Sequence, residues 1–136
     1  MKKLILLLIA LVSINVSNAQ SKDAVVTNLS SERFKAIIAN DKGGTIIDLR
    51  TTEELEKKGY IKGAVQLDYL AKDSEKQIDK LDKNKTYYIY CAGGGRSSEA
   101  AAYVEKRGIR GVYTLENGLS ECLQQGVSLD KKYSNA

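Results

Sequence analysis

Cys91 closes a β-rich run, Thr86-Tyr87-Tyr88-Ile89-Tyr90, and is followed by Ala92, Gly93, Gly94, Gly95, Arg96 and Ser97. A thiol at the carboxyl end of a strand, ahead of a glycine loop and a helix start, occupies the crevice where open parallel sheets put their sites. The helix expected to begin near Arg96 turns unpaired N–H groups and its positive dipole end toward that loop. Glycines leave the backbone unobstructed, so the N–H groups of Ala92 to Arg96 can converge on one point as an anion nest. Arg96 adds a fixed cation. Each of these favours thiolate over thiol, which predicts a Cys91 pKa below the ordinary value of about 8.5. Such a thiolate is a nucleophile, and the same cradle stabilises an anionic sulfur bound to it. Two plainer readings compete. One is a glycine turn beside a buried, inert cysteine. The other is a phosphate-cradling loop, but the Lys-Ser/Thr ending of a nucleotide site is missing. Strand, Cys, three glycines, Arg and helix in that order favour a catalytic or persulfide-carrying cysteine.

Composition removes much other chemistry. The chain has 136 residues and contains no His, Pro or Trp. Without His there is no Ser/His or Cys/His pair and no imidazole-ligated metal. Two cysteines are too few for a Cys-rich zinc or iron–sulfur site or a disulfide-stapled mini-protein. No metal or cofactor is therefore expected. Apolar residues are 43% and charged residues 28%, the balance of an ordinary globule with a packed core.

The first nineteen residues read as a targeting segment. Lys2 and Lys3 form a basic start, Leu4 to Val12 an apolar run, and Ser17-Asn18-Ala19 a small-residue cleavage site. That is the anatomy of a secretory signal peptide cut after Ala19, which makes the mature domain Gln20 to Ala136 and its location periplasmic or secreted. The alternative is a membrane anchor, which needs about 20 apolar residues; Ser13, Asn15, Ser17 and Asn18 interrupt the run too early. No Cys follows it to carry a lipid. Losing Lys2 and Lys3 leaves 19 basic residues against 17 acidic ones, so the net charge falls from +4 to +2. Lys and Glu are interspersed, with no basic run of the kind nucleic acid requires.

The elements that must position Cys91 alternate in type. Strands are expected at Ala24 to Asn28, Thr45 to Leu49, Ala64 to Leu67, Thr86 to Tyr90 and Val112 to Leu115. Helices are expected from a Ser30 cap to Ala39, with Leu29 and Phe34 as a hydrophobic staple, and over Thr52 to Lys58, ended by Gly59. Others follow at Ser74 to Leu81, Arg96 to Val104 (with Gly108 beyond its end) and Leu119 to Gln125. This alternation implies one α/β domain, a central parallel sheet of about five strands with helices on both faces.

The Cys91-to-Ser97 segment resembles the active-site loop of the rhodanese family of sulfurtransferases, Cys-x-x-Gly-x-Arg-Ser. The resemblance covers most of the mature chain. Asp48-Leu49-Arg50 is similar to the family's Asp-x-Arg, and Glu53-Glu54 follows where acids are usual. Gly59-Tyr60-Ile61-Lys62-Gly63-Ala64 is similar to its Gly-His-Ile-Pro-Gly-Ala turn, and Leu115 to Leu119 to its Leu-x-Gly-Gly segment. Departures are Tyr60 and Lys62 for His and Pro, Asn117 for a Gly, and Cys122 where Trp is common; they bear on stability and acceptor binding and leave the loop intact. Four residues separate Cys91 from Arg96. Cysteine phosphatases and arsenate-handling enzymes of similar fold use five, a wider ring suited to a tetrahedral oxyanion.

The resemblance implies a rhodanese-like fold and sulfur transfer in two steps. The Cys91 thiolate takes a sulfane sulfur from a donor such as thiosulfate, and a thiol or cyanide then removes it from the persulfide. A protein thiol is one such acceptor. Ala92, Gly93, Gly94, Gly95 and Arg96 would form the cradle, and Ser97 would order the helix start. Asp48 and Arg50 are expected to brace loops, the alternative being attraction of an anionic donor by Arg50. Glu53 and Glu54 read as first-turn helix charges. Cys122 reads as a space-filling residue, with a disulfide or resolving role toward Cys91 as the alternative. The rival functions are a non-enzymatic persulfide carrier or sensor, a protein-binding module, and a phosphatase or arsenate reductase of related fold.

Overall fold

The structure is a computed structural model that describes residues 26–125 and 129. Five parallel strands form one sheet in the order β1-β5-β4-β2-β3. They are β1 (Val26–Leu29), β2 (Thr45–Asp48), β3 (Val65–Gln66), β4 (Tyr87–Tyr90) and β5 (Val112–Leu115). Between and after them run α1 (Ser31–Asn40), α2 (Thr52–Lys58), α3 (Ser74–Asp79), α4 (Gly95–Lys106) and α5 (Gly118–Gln124). This is the expected α/β architecture. Ala24, at the start of the expected first strand, lies outside the described residues, as does the proposed targeting segment.

Strand alternation splits the core. Tyr87, Ile89 and Cys91 join Ala100, Ala101 and Val104 of α4 and Ile78 of α3 on one face. Tyr88 and Tyr90 join Phe34 of α1 and Leu119 and Cys122 of α5 on the other. All four residues of β4 are buried, because helices cover both sides of a central parallel strand. The chain therefore emerges from the middle of the molecule at Cys91.

Local chemistry sets the helix ends. Ser30 caps α1 through the Arg33 N–H, with Leu29 and Phe34 packed in one cluster as the staple requires. Gly108 and Ile109 close α4 by donating to the carbonyls of Glu105 and Val104, the paired bonds of a Schellman motif. Helix α3 stops at Asp79, short of the expected Leu81, because Lys80 and Leu81 turn back to the carbonyls of Gln77 and Ile78 and tighten the last turn. Strand β3 is shorter than Ala64 to Leu67, although Leu67 and Tyr69 still donate to the Asp48 and Leu49 carbonyls beyond its end.

Candidate active site

The loop from Cys91 to Arg96 is held from beneath by the start of α5. Leu119 N–H donates to the Cys91 carbonyl (2.9 Å), and the Ser120 N–H and hydroxyl both donate to the Ala92 carbonyl (3.2 and 3.0 Å). The contact is close enough to demand glycine twice. A Cβ on Gly118 would stand 2.4 Å from the Ala92 oxygen, and one on Gly94 would stand 2.4 Å from the Glu116 oxygen; both residues also have positive φ. Asn117, the departure from a family glycine, has φ −105, a conformation that needs no glycine.

With those carbonyls engaged, donors gather on the sulfur. Gly94 N–H donates to Cys91 Sγ at 3.1 Å, and the Ser97 Oγ lies 3.5 Å from it. The single Ser97 hydroxyl proton is shared between the sulfur and the Gly94 carbonyl at 3.1 Å, so the side chain stands between the turn and the thiolate. Cys91 is 1% exposed. Burial pushes its thiol up, but hydrogen bonds from Ser97, through side chain and backbone, and from the Gly94 and Gly93 N–H groups outweigh it. The net shift is downward. An inert buried thiol would be shifted the other way, and Cys122 is that case: burial pushes it up.

Arg96, the second residue of α4, is not a lone cation. Its Nη1 and Nη2 each donate to a Glu54 carboxylate oxygen at 2.7 Å. Glu54 also closes a capping box with Thr51 at the start of α2. Its carboxyl is lowered to about 2, first by Arg96. Glu54 is thus more than a first-turn helix charge; Thr51-Thr52-Glu53-Glu54 carries the capping-box spacing in sequence, but the Arg96 partner is 42 residues away.

Asp48 and Arg50 pair with each other in the core. Arg50 is 1% exposed; its Nε donates to Asp48 Oδ1 (3.0 Å), and its Nη2 donates to Asp48 Oδ2 (2.7 Å) and the Gly59 carbonyl (2.8 Å). Buried so, the guanidinium is closed to an incoming anion. Tyr90, a second residue missed from sequence, completes the network. Its hydroxyl donates to Asp48 Oδ2 (2.6 Å) and accepts the Ile61 N–H (3.2 Å). Cys91 and Cys122 are both free thiols and sit in separate core clusters, so no bridge joins them here.

This arrangement can hold one sulfur anion and present it as a nucleophile, with peptide amides in place of a general base. The rhodanese-like domain family matches residues 30–125. A sulfurtransferase from Allochromatium vinosum is 27% identical over 105 residues, covering 77% of this chain and 95% of that protein. A tRNA uridine(34) hydroxylase from Pelagibacter ubique is 30% identical over 105 residues, covering 76% of this chain and 34% of that protein. The crystal structure of a rhodanese-like domain protein from Staphylococcus aureus superposes with a TM-score of 0.64 at 30% identity, covering 76% of this chain and 98% of that one. The chain spans half or less of the length of the first curated relatives it matches. With that match over residues 30–125, the chain belongs to the rhodanese-like domain family.

Proposed function

We propose that this protein moves a sulfane sulfur from a donor such as thiosulfate to a thiol or cyanide acceptor through a persulfide on Cys91. The observation that carries this reading is the set of donors from Gly93, Gly94 and Ser97 on a sulfur whose pKa is lowered despite burial. The thiolate attacks the outer sulfur of thiosulfate, the donor S–S bond breaks, and sulfite leaves with its electron pair. Cyanide or a thiolate then attacks the terminal sulfur and releases the Cys91 thiolate. No proton acceptor near neutral pH is required, which suits a chain without His.

The reading extends to place of action, periplasmic or secreted. The Lys2-Lys3 start, the apolar run and Ala19 support it, and residues 1–19 lie outside the described region. Intact mass spectrometry tests both parts. The mature protein should lack residues 1–19 and gain about 32 Da on incubation with a sulfane donor, a gain removed by cyanide and absent in Cys91→Ser. A persulfide that forms but never passes to any acceptor would favour the carrier or sensor instead.

A further inference from the structure

Leu70 is 66% exposed. A single exposed leucine is ordinary on a protein surface, but the position of this one is set by the sheet that carries Cys91. Tyr69 N–H donates to the Leu49 carbonyl (3.1 Å), and Leu49 N–H donates to the Tyr90 carbonyl (2.9 Å). These bonds continue the ladder past the strand ends, so the Tyr69 backbone stands two strand spacings, about 10 Å, from the end of β4. Leu70 follows on the same carboxyl edge. Its backbone is fixed there: Asp68 Oδ1 accepts the Leu70 N–H (2.9 Å), and the Asp68 carbonyl accepts the Ala71 N–H (3.2 Å). Tyr69 itself packs half-buried against the core.

Negative charge accompanies this apolar turn. The Tyr103 hydroxyl of α4 donates to Asp79 Oδ1 of α3 (3.3 Å) and joins the two helices. Glu99 precedes Tyr103, and Glu75 precedes Asp79, by one helical turn toward the carboxyl edge of the sheet. Their charges reach Tyr69, whose hydroxyl is pushed up by burial, then by Glu99 and Glu75. Among the described residues neither glutamate has an ion-pair partner, and neither has Asp68. Residues 67–76 carry Asp68, Asp73 and Glu75 against Lys72 and Lys76, and Glu99 adds a fourth acid from α4. Cations gather at the opposite edge. Lys83, Lys85 and Arg110 lead into β4 and β5, with the Arg110 N–H on the Lys83 carbonyl (3.3 Å).

We propose that the Tyr69-Leu70 turn, with Glu75 and Glu99 beside it, docks a sulfur-acceptor protein whose reactive cysteine lies among an apolar residue and lysine or arginine side chains. The proposal rests on the sulfur-transfer reading above. Leu70 supplies an apolar contact that a small acceptor cannot cover, and the glutamates favour a basic partner over an acidic one. In the step, the acceptor thiolate attacks the outer sulfur of the Cys91 persulfide. The Sγ–S bond breaks and its electron pair stays on Cys91 as thiolate, while a new S–S bond forms on the acceptor. Any proton on the outer sulfur travels with it. One S–S bond replaces another, with no external oxidant or reductant.

Transfer from preloaded Cys91 persulfide, read by rapid quench and intact mass, tests this with the full chain, Leu70→Ser and the double variant Glu75→Gln/Glu99→Gln. The acceptors are cyanide and two peptides with a Cys-Leu pair, flanked by lysines in one and by glutamates in the other. Flanking lysines raise thiol reactivity by themselves, so the quantity read is the lysine-to-glutamate ratio of transfer rates, variant against native. At low salt that ratio should fall at least about fivefold in the double variant, and Leu70→Ser should slow the lysine peptide at least about threefold. Transfer to cyanide should stay within about twofold in both variants. An unchanged ratio in the double variant, an unchanged rate in Leu70→Ser, or an equal loss toward cyanide overturns the proposal and leaves sulfur transfer standing. A native dimer that Leu70→Ser dissociates, seen by sedimentation, assigns the turn to a second copy of this chain and also overturns it. No transfer from native persulfide to any acceptor overturns the sulfur-transfer reading itself and the proposal with it.

Discussion

Glu54 grips Arg96 through two hydrogen bonds of 2.7 Å, joining the first turn of α2 to the first turn of α4 across the mouth of the Cys91 loop. The residues stand 42 apart in sequence. Because Thr51 fixes the same carboxylate by its backbone N–H at 2.9 Å, the guanidinium inherits its position from a helix cap.

That pair makes stability depend on acid. The Glu54 carboxyl falls from 4.5 to about 2 on folding, so its contribution is complete above pH 4.5 and is lost as pH drops toward 2. Partial exposure of both side chains discounts the gain to about 1–2 kcal/mol. Glu54→Gln should lower the urea-unfolding free energy by that amount at pH 7, and the gap from the native protein should close between pH 4.5 and 2. A gap that is constant with pH contradicts the assignment.

Ser97→Ala removes a hydrogen bond to the sulfur. Fewer donors favour the neutral thiol, so the midpoint of alkylation against pH should move up. At neutral pH the persulfide-forming rate should fall about tenfold, the scale of one hydrogen bond to a charged group. A midpoint that stays in place would show that Ser97 serves only the Gly94 turn.

Substitution by alanine should separate the glycines sharply. Gly118→Ala combines positive φ with a 2.4 Å approach to the Ala92 oxygen and should cost about 2–4 kcal/mol. Gly95→Ala, with open space and ordinary φ at a helix start, should instead stabilise by about 0.4–1 kcal/mol. Chemical denaturation of the two variants reads both signs.

Arg50→Lys tests the brace. Lysine cannot reproduce the forked contact with Asp48 together with the Gly59 carbonyl, and the buried Asp48 would lose its partner. A loss of about 3–5 kcal/mol is expected. Donor KM per folded molecule should stay unchanged, since the guanidinium is sealed from the loop mouth; a raised KM would restore the donor-attracting role.

What could be read ahead of the structure was what short-range chemistry decides. Ser30 as a cap, Leu29 with Phe34 as a staple and the break after Lys58 all depend on neighbours within a few residues. The thiolate-favouring loop was legible too, because strand, glycines and helix start are consecutive. Contacts made by folding were not. The Glu54–Arg96 pair, the Tyr90 hydroxyl on Asp48 and the hold of α5 on the loop span 42, 42 and 28 residues. The early end of α3 escaped for a subtler reason: tightening of its last turn, not side-chain pattern, ended it.

The bonds from Leu119 and Ser120 to the carbonyls of Cys91 and Ala92 have a consequence for turnover. Peptide planes anchored on one side cannot rotate when cargo arrives on the other. If Cys91 carries sulfur as proposed, loading should therefore leave the main-chain trace of residues 91–96 in place.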